Sequence, residues 1–293
     1  MSKSNLGRLI CAAAALIWGL SFVVMKDALD CFPVFTLLAL RFTGGFLAVG
    51  LIFRKRMRRL PARTWRHGIV VGVFLAGGYI TQTFGLRYTT PGKNAFLTAV
   101  YCVLVPFVDW IWSRRRPSGQ KILAGVLCLA GVGLISLNES LTMGRGEALT
   151  LLSGVLYAFQ VDTIARFAKE DDPVALTVIQ FLVTAVICGG MALAAESWPA
   201  VIGPQVWGQL AFLILMATAG ALLMQNVGQS MTTAASAAIM LSLESVFGAL
   251  TSVILGRETL ALRTMAGFLL VFGAVLMSVL ERESGRRKEP DHG

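Results

Sequence analysis

Ten apolar runs, joined by short polar turns, limit how this chain can fold. They are Leu6–Met25, Pro33–Phe53, Trp65–Leu86, Asn94–Trp112, Gln120–Leu137, Gly146–Ala165, Pro173–Ala194, Val206–Val227, Ala234–Leu255 and Leu260–Leu280. A helix of about 20 apolar residues crosses a hydrocarbon layer roughly 30 Å thick. Inside that layer every backbone N–H and C=O must be paired within the protein, so only helices and closed barrels can span it. Barrel strands are alternating segments of about 10 residues. These runs are continuous and about twice as long, so the pattern predicts an all-α polytopic membrane protein with ten transmembrane helices. Composition agrees: only 14% of the 293 residues are charged, against about 25% in an ordinary soluble domain. The lipid bilayer is the first partner the sequence implies.

The net charge of +10 would suggest nucleic acid in a soluble protein. Here the basic residues sit in short loops between apolar runs, and their sidedness sets orientation instead. The N-terminus, the even-numbered loops and the C-terminus hold 19 of the 26 Lys and Arg, and "RKRMRRLPARTWR" (Arg54–Arg66) alone holds seven. Both termini are therefore expected in the cytoplasm of a bacterial cell, with the chain in the cytoplasmic membrane and Cys31 outside. The first apolar run is too long for a signal-peptide core and reads as a retained helix. The five cysteines show no disulfide or metal-ligand spacing. His67 and His292 are the only histidines, and no HExxH, GxSxG or Walker A pattern occurs. Neither an enzyme nor a cofactor is expected. The polar tail, 283–293, reads as a flexible cytoplasmic end.

The chain also repeats itself. "QTFGLRYTTPGKNAFLTAVYCVLVP", from Gln82, aligns without a gap on "QNVGQSMTTAASAAIMLSLESVFGA", from Gln225. Gln82 meets Gln225, Gly85 meets Gly228, Thr89-Thr90 meets Thr232-Thr233, and Ala95 meets Ala238. Upstream, Gly7 and Trp18 align with Gly146 and Tyr157. Spans one to five (residues 1–140) thus recur as spans six to ten (141–282). Each half has an odd number of spans, so the copies are expected to be inverted in the membrane, as in many transporters.

Taken with "ALIWGLSFVVMK", "LLALRFTGGFLA", "GLRYTTPGKNAFLTAVYCVLVP" and "AAIMLSLESVFGALTSVILGRETL", nearly the whole chain resembles the EamA-type members of the drug/metabolite transporter superfamily. The resemblance implies ten helices in two inverted five-helix repeats. It also implies movement of small metabolites, such as amino acids, or of drugs, often outward.

Ionisable residues inside a span are costly and mark partners or cavities. Glu244 is the eleventh of the 22 residues of span nine, about 15 Å from either end at 1.5 Å per residue. It is expected to face a cavity, where it can bind a cationic group or exchange a proton, or else to pair with Arg41. Arg41, inside span two, is read either as a clamp for a substrate anion or as a brace to backbone carbonyls or Glu244. Asp162 and Arg166 have the spacing of an ion pair on one helix face. Asp109 is placed near the outer end of span four. Tyr79 and Gln82 share a face of span three, and Tyr101 stands on span four. By the repeat, Tyr157, Gln225 and Glu244 occupy the positions of Trp18, Gln82 and Tyr101. These seven are the expected substrate-binding residues, facing a pseudo-twofold axis. A secondary transporter for a small-molecule substrate, with a proton as candidate coupling ion, is the function the pattern favours. An integral-membrane enzyme and a non-transporting sensor are the alternatives.

Overall fold

A chain that must pair its backbone locally folds, over its described residues, into helices joined by short turns. The computed structural model describes residues 2–114, 116–136, 143–199, 202–232, 234–259 and 261–284. Their elements are α1 (Lys3–Ala28), α2 (Val34–Ile52), α3 (Arg54–Met57), α4 (Ala62–Tyr88), α5 (Pro91–Thr98), α6 (Tyr101–Ser113), α7 (Gly119–Ser136), α8 (Arg145–Phe167), α9 (Pro173–Ala195), α10 (Pro204–Phe212), a π-helical stretch (Leu213–Gly220), α11 (Ala221–Met231), α12 (Ala234–Ile254) and α13 (Leu262–Ser284). Seven helical runs are long and apolar enough to cross a membrane; α5–α6 and α10–α11 each count as one of them. Shorter apolar helices cover Gly119–Ile135, Met240–Ile254 and Leu262–Met277. The expected boundary at 140/141, Thr233 and the tail from 285 lie outside the described residues.

Side-chain chemistry fixes the helix ends. Ser2 caps α1 by accepting from Asn5 N at 3.2 Å. Asp172 caps α9 by accepting from Val174 N at 3.0 Å, ahead of Pro173 at the first helical position. Glu196, just past α9, accepts from Phe35 N and Thr36 N at 2.9 and 2.7 Å, placing a carboxylate at the N-terminus of α2. Lys26 donates to the carbonyls of Leu86, Arg87 and Thr89 at the C-terminal end of α4. Leu16, Leu129, Val186 and Leu269 are exposed on the outside of the bundle, a surface suited to hydrocarbon rather than water.

Glycines let helices from the two halves of the chain touch backbone to backbone. A Cβ at Gly7 (α1) would lie 2.9 Å from Gly228 O (α11), and one at Gly85 (α4) 2.9 Å from Gly146 O (α8). The α7–α13 pair meets the same way at Gly131 and Gly267. Such approaches bring packing energy where the hydrophobic effect gives none.

On one face of the bundle, the segment before and within α4 meets the turn between α8 and α9. Asp171, buried in that turn, accepts from Thr64 Oγ1 at 2.5 Å and lies 2.5 Å from His67 Nδ1. His67 stacks on Phe167 at 3.9 Å. Arg56 pairs with Asp172, and Arg63 with Glu170. Arg166, at the end of α8, joins Asp162 at 2.7 Å and Asp109 at 2.5 Å. The ion pair expected of Asp162 and Arg166 is therefore present. Asp109, near the C-terminal end of α6, joins this cluster through Arg166, next to the α8–α9 turn.

Candidate functional site

Several polar residues buried within the apolar runs converge on a cavity. It holds about 630 Å³ of space between atoms, open in part to solvent. Its walls come from α1, α2, α4, α5, α6, α8, α11 and α12. All seven expected residues line it. Trp18, Tyr79, Gln82 and Tyr101 come from the first half of the chain, and Tyr157, Gln225 and Glu244 from the second. Arg41 lines it too. Asp162 and Arg166 do not; they belong to the ion-pair cluster with Asp109.

One wall is rigid. The Gln82 amide is engaged at both ends: Oε1 accepts from Tyr157 OH at 2.9 Å, and Nε2 donates to Thr98 Oγ1 at 3.0 Å. The Tyr157 ring meets Tyr79 edge to face at 5.6 Å and Tyr101 at 6.5 Å. Asn94 Nδ2 donates to Thr150 Oγ1 at 2.7 Å.

The opposing groups are less satisfied. Glu244 Oε1 and Gln225 Oε1 are buried with no hydrogen-bond partner, as are Thr83 Oγ1 and Asn94 Oδ1. All four side chains line the cavity. Unpaired buried acceptors are uncommon in native proteins and call for an explanation at each site. The Tyr101 hydroxyl neighbours the Glu244 carboxylate as a hydrogen-bonding group.

Arg41 is 3% exposed. Its Nε donates to Thr218 Oγ1 at 3.1 Å, its Nη1 to Met25 Sδ at 3.3 Å, and its Cζ lies 5.2 Å from the Tyr79 ring centroid. Among the described residues no carboxylate lies within 4.0 Å of it, so the Arg41–Glu244 brace weighed from the sequence is not formed. The cavity thus contains a guanidinium and a carboxyl group that form no salt bridge with each other. A small molecule with both an anionic and an N–H-bearing end matches that arrangement, with aromatic faces for its apolar body.

Sequence reasoning missed Asn94, Thr98, Ser21 and Gln160 as cavity residues. The apolar pattern puts Asn94 at the first residue of a span. Pro91 at the first helical position and Thr90 as cap, accepting from Lys93 N, start the helix earlier and carry Asn94 a turn inside. Gln160 follows Tyr157 by three residues, a helical spacing that was legible.

Fold and cavity define the class: a multi-pass helical membrane protein built around a buried polar binding space, as in membrane transporters. The sequence matches the EamA-like transporter family over residues 5–137 and again over 144–280, and the chain belongs to that family. An "Uncharacterized transporter" of Archaeoglobus fulgidus is 30% identical over 269 residues, covering 92% of this chain and 84% of the relative. "Uncharacterized transporter YvbV" of Bacillus subtilis is 23% identical over 280 residues, covering 92% and 90%. A solved crystal structure superposes with a TM-score of 0.70 at 19% identity, covering 97% of this chain and 99% of its own, which supports the fold.

Proposed function

We propose that this chain is a secondary transporter that carries small zwitterionic metabolites, amino acids or close analogues, by alternating access around the central cavity. The observation that carries this reading is the pairing of opposites left unpaired. Arg41 lacks a carboxylate, while Glu244 Oε1 and Gln225 Oε1 lack a donor, and all three line one cavity. A zwitterion supplies a carboxylate to the first and an ammonium to the others. In this reading ten helices span the membrane as two inverted five-helix repeats, with both termini in the cytoplasm and export as the net direction.

Two observations support the repeat. The family match falls once on each half. The glycine crossings are also reciprocal: Gly7 aligns with Gly146 and Gly85 with Gly228, and Gly7 packs on Gly228 as Gly146 packs on Gly85. A two-fold operation within the membrane plane exchanges one crossing for the other, which would put one on each side of the cavity.

The test is counterflow in liposomes with purified protein, preloaded with an unlabelled L-amino acid and given the labelled one outside. Uptake above protein-free liposomes for at least one zwitterion is expected, together with a rise in thermal stability for the same compound. No stabilisation by any amino acid, alongside binding of purely cationic or purely apolar compounds, refutes the zwitterion assignment.

A further inference from the structure

Two cavity residues from the first half of the chain reach past the cavity and hold neighbouring residues of one segment in the second half. Trp18 Nε1 donates to Ala217 O at 2.9 Å, and Arg41 Nε donates to Thr218 Oγ1 at 3.1 Å. Both acceptors lie in the π-helical stretch Leu213–Gly220. Ala217 and Thr218 are fully buried, and neither lines the cavity. In an α-helix each interior carbonyl is used by the N–H four residues on; π-type bonding skips one more residue and is found mostly at functional sites.

The Thr218 side chain has little freedom. A Cβ at Gly45 of α2 would sit 3.0 Å from Thr218 Cγ2, so the threonine methyl rests against the bare face of that glycine. With the methyl held there, the branched side chain has one preferred rotamer left, and that rotamer points Oγ1 at Arg41. Gly44 receives Ile214 of the same stretch in the same way. A bond at Nε fixes the plane of a guanidinium and directs its two terminal nitrogens away from the anchor. Arg41 itself lines the cavity, and its Nη1 meets Sδ of Met25, another lining residue.

We propose that Thr218 is a positioning residue for the substrate's anionic end: seated on the π-helical stretch, it aims the Arg41 guanidinium into the cavity without touching substrate itself. This rests on the reading of the cavity as a zwitterion site. It predicts that losing the hydroxyl weakens recognition of a carboxylate specifically, and not of the rest of the molecule.

The experiment measures binding to purified protein of L-leucine, L-phenylalanine and L-methionine, each against its carboxamide. The wild-type protein is expected to prefer the free acid of at least one pair roughly tenfold or more, the size of a charge-assisted contact. Thr218→Val keeps the shape and removes the oxygen. It should bring that preference to within about threefold by weakening the acid alone, and Thr218→Ser should restore most of it. Equal weakening of acid and amide in Thr218→Val would mean that Thr218 only packs, and would overturn the proposal while leaving the cavity reading intact. A wild type with no preference for the acids would overturn the cavity reading and the proposal together. If Thr218→Val is not obtained folded, Thr218→Ala carries the same comparison.

Discussion

Replacing Glu244 with glutamine should move stability and binding in opposite directions. Glu244 is 5% exposed, and one of its oxygens has no partner. A buried polar group left unsatisfied costs about 1–3 kcal/mol, and more when charged. Glutamine has nearly the same shape and is less costly to desolvate. Against that gain stands any loss of the contact with Tyr101, worth about 1 kcal/mol for one hydrogen bond. The net expectation for ligand-free Glu244→Gln is unchanged or higher stability, by up to about 2 kcal/mol. Binding should go the other way. A zwitterion's ammonium loses a charge-assisted partner worth about 1.5–3 kcal/mol, or roughly 10- to 100-fold in Kd. The assay is thermal unfolding of the detergent-solubilised protein without and with an amino acid, with counterflow in liposomes for transport. A binding group that is costly to the resting protein has this signature, since function then opposes stability. If Glu244→Gln instead unfolds several degrees earlier and transports normally, the carboxylate is a brace and the reasoning is wrong.

The two aligned glutamines should behave differently despite the repeat. Gln82→Ala removes a bridge between Tyr157 and Thr98 and should cost about 1–3 kcal/mol of stability, whereas Gln225→Ala should leave the unfolding temperature unchanged and raise the apparent Kd for substrate. The Asp171 carboxyl is raised by burial, but the Thr64 and His67 hydrogen bonds and the Arg63 charge outweigh this and hold it below its ordinary value. Its folded value is depressed, so its contribution is complete above the unfolded value near pH 4 and is lost as pH falls through the folded value. Asp171→Asn should therefore lower thermal stability at pH 7 and flatten its decline below about pH 4, read in a pH series of melting curves. Cys31, half-buried between α1 and α2, should react with a membrane-impermeant maleimide on intact cells, while a cysteine placed at Ser2 should not. The reverse labelling pattern inverts the assigned orientation.

Where the sequence was legible, the information was local in one dimension. A run of apolar residues must be a helix in lipid, and a polar residue at its centre must find a polar neighbour, whatever the tertiary detail. Trp18, Tyr157 and Glu244 could be placed at the cavity for that reason, with the repeat alignment adding the register, whereas Arg41 stood open between clamp and brace. Bonds between distant segments were not legible. The contact of His67 with Asp171 joins residues 104 apart in the chain, and nothing in "RHG" or "EDDP" announces it. The break between α5 and α6 was hidden because Ala99 and Val100 are as apolar as their neighbours. Thr218 looked like one more small residue in "LILMATAG", since its role comes from a glycine on another helix.

The π-helical stretch also sets an angular phase along the eighth span. Each α-helical residue turns the chain by about 100°, and a turn closed by i→i+5 bonds takes up one residue more than a turn closed by i→i+4 bonds. Ile214 and Thr218, near the middle of this span, are keyed to Gly44 and Gly45, and Gln225 farther along lines the cavity. Because the wide turn takes up an extra residue, the helix on either side keeps the phase of a regular α-helix one residue shorter. Removing one residue from Leu213–Gly220 would let the stretch relax to regular α-helix with Gln225 still in the cavity wall and Gly228 still on Gly7. Removing one between Ala221 and Gln225, where the helix is already regular, would instead rotate everything beyond it by about 100° and turn Gln225 out of the cavity wall. In this span a single-residue deletion should be better tolerated inside the π-helical stretch than beside it.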